Sequence, residues 1–124
     1  MADKQASRKV ALVSTDKSFV QDTRGAFSAS DTIGVVAIEK PVTALRGELH
    51  ESEFGAAIID LDTANLDALE ALRREIRRLE GRTPVVVVTN EFNASAARIL
   101  VQLQIADFLV KPVSTADLVR SCLR

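Results

Sequence analysis

Five short apolar runs, separated by segments with helical periodicity, restrict the fold of this chain more than any other feature of its sequence. The apolar runs cover residues 9–13, 33–38, 56–60, 84–89 and 107–110. Apolar residues recur at helical spacing between and after them, in segments 19–27, 41–50, 66–79, 93–104 and 114–123. Strands that alternate with helices predict an α/β fold, in which helices cover both faces of a parallel sheet.

The segment "PVTALRGELH", residues 41–50, is predicted as the second of these five helices. Pro41 suits a first helical turn because it lacks the N–H that would have no partner there. Gly47 lowers the helical propensity of the same segment.

The size and composition of the chain indicate one compact domain. It has 124 residues, of which 47% are hydrophobic, enough for a core of its own. We expect residues 1–8 to form a flexible N-terminus and residues 9–124 to form the domain. The single cysteine, Cys122, excludes an internal disulfide, and we expect it to be an inert thiol in the core.

Charge and hydropathy favour a cytoplasmic protein without nucleic-acid or membrane partners. Sixteen basic against 17 acidic residues give a net charge of −1, which offers no electrostatic reason to expect either partner. The polar start "MADKQASRK" lacks the apolar stretch of a signal peptide, and no apolar run approaches the length of a membrane span.

Polar residues follow the predicted strands at the edge where such sheets bind ligands. These residues are Ser14, Thr15, Asp16, Asp60, Thr89 and Lys111. A carboxylate, a hydroxyl and an ammonium would meet at this edge. Asp60 could act as a nucleophile that forms an acyl phosphate, with Lys111 and Thr89 contacting phosphoryl oxygens. A divalent cation held by Asp60 and Asp16 would neutralise the negative charge that develops during transfer of the phosphoryl group.

Three motifs carry a resemblance to a known family. "AIIDLD", "TPVVVVTN" and "ADFLVKP" resemble segments of the receiver domain of two-component response regulators, and the similarity extends over residues 9–123. The resemblance implies a flavodoxin-like fold with strand order 2-1-3-4-5. It places the phosphoacceptor at Asp60, the switch hydroxyl at Thr89, the switch aromatic at Phe108 and the phosphate-binding lysine at Lys111, before a cis peptide bond. It also implies a sensor histidine kinase or a phosphotransfer protein as partner, and a signalling domain rather than an enzyme.

The sequence departs from this family where receivers carry two adjacent acids after the first strand. Ser14 and Thr15 stand in those places. Asp16, Asp60 and Asp62 would then form only a weak magnesium site, because Mg²⁺ is usually held through carboxylates. An alternative is therefore a pseudo-receiver that serves as a dimerisation or docking module, as in the tight-adherence pilus-assembly proteins with a ParA/MinD-type ATPase. A small flavodoxin-like enzyme is a third alternative, although no Gly-rich loop follows the first strand.

Each site residue also has a simpler interpretation. Asp60 could cap a helix, Asp16 is as well suited to an N-cap as to a metal ligand, and Thr89 could be an ordinary strand-end hydroxyl. Without the family resemblance, Phe108 would be interpreted as a core residue. Lys111 could lie on the surface.

The predicted helix 93–104 is apolar over most of its circumference, which suggests a second surface to bury. We expect a homodimer that forms through this helix, with Ile99, Val101 and Ile105 in the interface and with Val101 and Ile105 pointing away from the sheet. The alternative is that Val101 and Ile105 are exposed singly, which is common.

Overall fold

The structure, a computed structural model, describes residues 8–28 and 32–123. The strands are β1 (Arg8–Val13), β2 (Ile33–Ile38), β3 (Ala56–Asp60), β4 (Val85–Thr89) and β5 (Asp107–Val110). The helices are α1 (Lys17–Phe27), α2 (Leu66–Leu79), α3 (Ala94–Gln102) and α4 (Thr115–Leu123). The predicted flexible N-terminus lies outside the described residues except for Arg8, which is the first residue of β1.

All neighbouring strands pair in parallel, in the order β2-β1-β3-β4-β5. The predicted fold class and strand order are therefore confirmed. The carboxyl ends of β1 and β3 lie side by side, because Val13 pairs with Ile59. Asp60 in turn pairs with Val88 of β4, so the polar residues that follow these strands gather at one edge.

The central strands are buried on both faces, as their continuous apolar runs predict. In β3 the side chains of Ala56 and Ile58 belong to one hydrophobic cluster, which also contains residues of α1 and α4. Ala57 and Ile59 belong to a second cluster on the opposite face, with residues of α2 and α3. Helices thus cover both faces of the sheet.

Cys122 lies in the core between α4 and the sheet, as predicted. Burial raises the pKa of its thiol to about 12, which disfavours the reactive thiolate form. In the part of the chain that the structure describes, no helix has the combined length and apolar character needed to cross a bilayer.

The prediction of a helix over residues 41–50 is wrong. This stretch contains two short 3-10 helices, Val42–Ala44 and Glu48–His50. Gly47 adopts a φ of 104°, in the left-handed region that glycine tolerates and that an α-helix excludes. The side chain of Glu48 holds the resulting turn, because it accepts hydrogen bonds from the backbone N–H of Arg46 and from Lys40.

The helix α3 is shorter than its predicted range, and this changes the surface that it exposes. It ends at Gln102, and Gln104 follows with a φ of 61°. Val101 is 74% exposed, so it points away from the sheet as predicted. The same prediction is wrong for Ile105, which lies beyond the helix and packs against the hydrophobic cluster on the α2 and α3 face of the sheet.

Candidate functional site

Asp60 is the last residue of β3, where a fully buried run of apolar residues meets solvent. Its side chain is 15% exposed. A carboxylate in such a position needs polar neighbours, because an unpaired buried charge is costly. Residues that directly follow the neighbouring strand β1 and the more distant strand β5 are these polar neighbours.

Ser14 follows β1 and supplies the closest of these contacts. Its Oγ donates a hydrogen bond to Asp60 Oδ2 over 2.7 Å and accepts one from the backbone N–H of Asp16 over 3.0 Å. The residue is 2% exposed. Sequence reasoning treated Ser14 only as a neutral replacement for a metal-binding acid and missed this direct contact with Asp60.

Lys111 follows β5 and provides the positive charge of the site. Its Nζ lies 3.0 Å from Asp60 Oδ2 and 3.1 Å from Asp16 Oδ2. It also lies 4.5 Å from the ring centroid of Phe19, within the range of a cation–π interaction. The peptide bond between Lys111 and Pro112 is cis, as the resemblance implied. Lys111 therefore lies within direct reach of Asp60, not on the opposite rim of the sheet.

Asp16 combines a structural and an electrostatic role. It is the N-cap of α1, and its Oδ1 accepts a hydrogen bond from the backbone N–H of Phe19 over 3.1 Å. This hydrogen bond, followed by the one from Lys111, lowers the pKa of the Asp16 carboxyl. The prediction of an N-cap is confirmed, and the second oxygen of the same carboxylate contacts Lys111.

Thr89, the predicted switch hydroxyl, forms no hydrogen bond with Asp60 in this structure. The residue is 1% exposed, and its Oγ1 donates to the carbonyl of Glu91 over 3.3 Å. The same atom lies 3.5 Å from Thr63 Oγ1. The hydroxyl of Thr89 thus points toward Glu91, which follows β4, and toward Thr63, which follows β3.

Phe108, the predicted switch aromatic, is half-buried and packs against the core on the α2 and α3 face. Its ring centroid lies 6.2 Å from that of Phe92, which is 66% exposed. Sequence reasoning did not predict this contact with Phe92. The only available signal was an aromatic residue three positions after Thr89.

A cleft of about 260 Å³ opens over Asp60 and Lys111. This volume lies below the usual range for sites that enclose a drug-sized ligand. Thr15 and Asp62, two predicted site residues, line the cleft together with Thr43, Asn65 and Asn90, which sequence reasoning missed. For Asn90, its position directly after Thr89 could have indicated that it lies at the same edge of the sheet.

The side chains present do not form a magnesium site in this arrangement. Among the described residues, no group of three or more His, Cys, Asp or Glu side chains could hold a metal ion. The Oδ2 atoms of Asp60 and Asp16 are paired with the Lys111 ammonium. The exposed Asp62 uses Oδ1 to accept a hydrogen bond from the backbone N–H of Ala64. Mg²⁺ is usually held through one or two carboxylates together with water, and here the ammonium of Lys111 already occupies the position between Asp60 and Asp16.

Comparison with known proteins agrees with the fold of the chain. The sequence profile described as "Response regulator receiver domain" matches residues 10–122. The transcriptional regulatory protein FlgR of Helicobacter pylori is 30% identical over 116 residues, which is 94% of this chain and 29% of FlgR. The chain thus spans less than a third of that relative.

Two solved structures have the same fold. A CheY-like response regulator from Mesorhizobium loti is 25% identical and superimposes with a TM-score of 0.76, over 92% of this chain and 94% of that one. The pilus assembly protein CpaE from Caulobacter crescentus is 11% identical and has a TM-score of 0.78, over 96% of this chain and 93% of that one. With the family profile covering nearly its whole length, the chain belongs to the response regulator receiver domain family.

Proposed function

We propose that this domain accepts a phosphoryl group on Asp60 from a sensor histidine kinase or a phosphotransfer protein and signals through changed protein contacts. The observation that carries this proposal is the asymmetric environment of the Asp60 carboxylate. Its Oδ2 is held by Ser14 and Lys111. Its Oδ1 receives no hydrogen bond from any described residue and is therefore available as a nucleophile.

The chemistry requires no proton transfer at Asp60. An oxygen of the carboxylate attacks the phosphorus of the donor and forms a new O–P bond, while the bond from phosphorus to the leaving group breaks and its electron pair departs with that group. Lys111, already 3.0 Å from Asp60 Oδ2, would meet an oxygen of the incoming phosphoryl group. Electrostatic stabilisation of this kind dominates phosphoryl transfer.

Incubation with acetyl phosphate, both with and without MgCl₂, followed by intact mass measurement, tests the proposal. The parent protein should gain the mass of one phosphoryl group, and the Asp60→Asn variant should gain none. Asp117→Asn is the matched control, because Asp117 is exposed on α4, where it pairs with Arg120, and its substitution should leave labelling intact. A well-folded parent that remains unlabelled would contradict the proposal.

The second candidate is a pseudo-receiver that acts as a docking or dimerisation module, and the same experiment separates it from the first. The contacts of Ser14 and Lys111 to Asp60 support this candidate, because they hold the Oδ2 atom of the carboxylate without any phosphoryl group. The name of the structurally similar CpaE protein suggests pilus assembly as one setting. Clefts of about 260 and 360 Å³ adjoin Lys111, so cleft volume alone does not decide against the third candidate, a flavodoxin-like enzyme.

We further propose that the domain works in the cytoplasm and forms a homodimer through the region of α3. The exposed Val101 and the partly buried Ile99 of this helix support that surface. The net charge of −1 supports a protein partner over a nucleic acid.

A further inference from the structure

The ammonium of Lys111 lies between two carboxylates that reach the site from different parts of the chain. Asp60 comes from the end of β3 and Asp16 from the N-cap of α1, and each directs its Oδ2 atom at Lys111 Nζ, at 3.0 and 3.1 Å. Two negative charges thus face one positive charge. This is the location that a divalent cation would need in order to bind both acids.

Three further contacts fix this arrangement. Ser14 donates its hydroxyl proton to Asp60 Oδ2, and the backbone N–H of Phe19 holds Asp16 through Oδ1. The ring of Phe19 lies 4.5 Å from Lys111 Nζ, and the lysine side chain is only 15% exposed. A divalent cation would have to displace an ammonium that already has two ion-pair partners and an aromatic neighbour.

We propose that Lys111 is the resident cation of this site, and that it keeps Mg²⁺ away from Asp60 and Asp16. It follows that Asp60 accepts a phosphoryl group at the same rate with or without a divalent cation. This consequence rests on the proposed function, whereas the exclusion of Mg²⁺ does not.

The step is balanced without a metal when acetyl phosphate is the donor. Asp60 forms the new O–P bond, the bond between phosphorus and the acetyl oxygen breaks, and acetate leaves with the electron pair. Lys111 supplies one positive charge to the phosphoryl oxygens, as a cation would.

Titration of the parent and of Lys111→Met with MgCl₂ tests the exclusion, with calorimetry and amide chemical shifts at Asp16 and Asp60 as readouts. Methionine keeps the apolar stem against Phe19 and removes the charge. We expect Lys111→Met to bind Mg²⁺ about tenfold or more tighter than the parent, since a neighbouring unit charge changes an ionisation equilibrium by at least that factor. Lys9→Met is the matched control, because Lys9 is an exposed lysine near the start of β1, at the edge of the sheet opposite to the site, and it should behave as the parent does. Lys111→Gln repeats the test with a polar neutral side chain should the methionine variant fold poorly.

A Lys111→Met variant that binds Mg²⁺ no more tightly than the parent overturns the exclusion. Labelling of the parent by acetyl phosphate, with MgCl₂ or with EDTA, tests the consequence. Equal rates support it, and labelling that requires Mg²⁺ overturns it while leaving the proposed function intact. A parent unlabelled under both conditions removes the phosphoacceptor function, and the titration still decides the exclusion.

Discussion

The hydroxyl of Ser14 donates to the Oδ2 atom of Asp60 over 2.7 Å. This hydrogen bond joins the carboxyl ends of two adjacent strands, β1 and β3, at a position where receivers usually carry an acid in place of the serine. A carboxylate there would repel Asp60 unless a cation separated them. The serine instead donates a hydrogen bond to Asp60 and fixes the orientation of its carboxylate.

Replacement of Ser14 by alanine should therefore destabilise the fold. The variant loses a hydrogen bond to a charged group, and the backbone N–H of Asp16 loses its acceptor. We expect a decrease in the free energy of unfolding of about 1.5–3 kcal/mol, measured by urea denaturation. Ser95→Ala on the exposed surface of α3 is the control and should change stability by less than about 0.5 kcal/mol. Equal stability of the two variants would show that the Ser14 contact contributes little.

Restoring the missing acids should create a magnesium site. In the double variant Ser14→Asp, Thr15→Asp, additional carboxylates face the same edge of the sheet as Asp16 and Asp60. Their charge favours a hard divalent cation over the single ammonium of Lys111. We expect clearly tighter Mg²⁺ binding than in the parent, measured by calorimetry. Equal affinity in the two proteins would count against this explanation of the site.

The sheet and the gathering of Asp60 and Lys111 were predictable because they depend on patterns that are local in the sequence. The run 56–60 has apolar residues on both faces and ends in a carboxylate, so β3 was predicted with its observed bounds. Parallel pairing then brings the ends of neighbouring strands together. The cis bond before Pro112 came from the family resemblance alone.

Individual ion pairs and choices among rotamers were not predictable. Asp16 and Lys111 are 95 positions apart, and nothing in the sequence showed that they would share an ion pair. Thr89 has the expected residue type at the expected strand end, yet its hydroxyl bonds to the Glu91 carbonyl. The predicted helix 41–50 failed because its apolar spacing did not reveal that Gly47 would adopt a left-handed φ.

The turn around Gly47 occupies the segment predicted as a helix. It should make the free energy of unfolding depend on pH under acidic conditions. Hydrogen bonds from Lys40 and from the Arg46 backbone lower the pKa of Glu48 from 4.5 to about 2. A lowered folded-state pKa stabilises the fold above the unfolded value, and this contribution disappears as the pH falls from about 4.5 to about 2. The urea midpoint of the parent should exceed that of Glu48→Gln at pH 7, and the difference should shrink over that interval. Glu53→Gln serves as a control, since Glu53 is exposed on a nearby loop. A difference between parent and variant that does not change with pH would contradict the assignment.

The surface of α3 offers the test of association. Val101 is 74% exposed, so Val101→Lys should leave the fold intact while placing a charge in the proposed interface. An unpaired ammonium is strongly disfavoured there, because its burial costs several kcal/mol. Sedimentation velocity should show a parent dimer that shifts toward monomer in the variant.

Ile105→Lys is the informative comparison, because Ile105 packs against the core. We expect it to lower the free energy of unfolding by about 1–3 kcal/mol, so a loss of dimer in that variant would follow from a loss of folding. A parent that remains monomeric at high concentration would refute the dimer, and Val101 would then be one of the singly exposed apolar residues that folded proteins commonly carry.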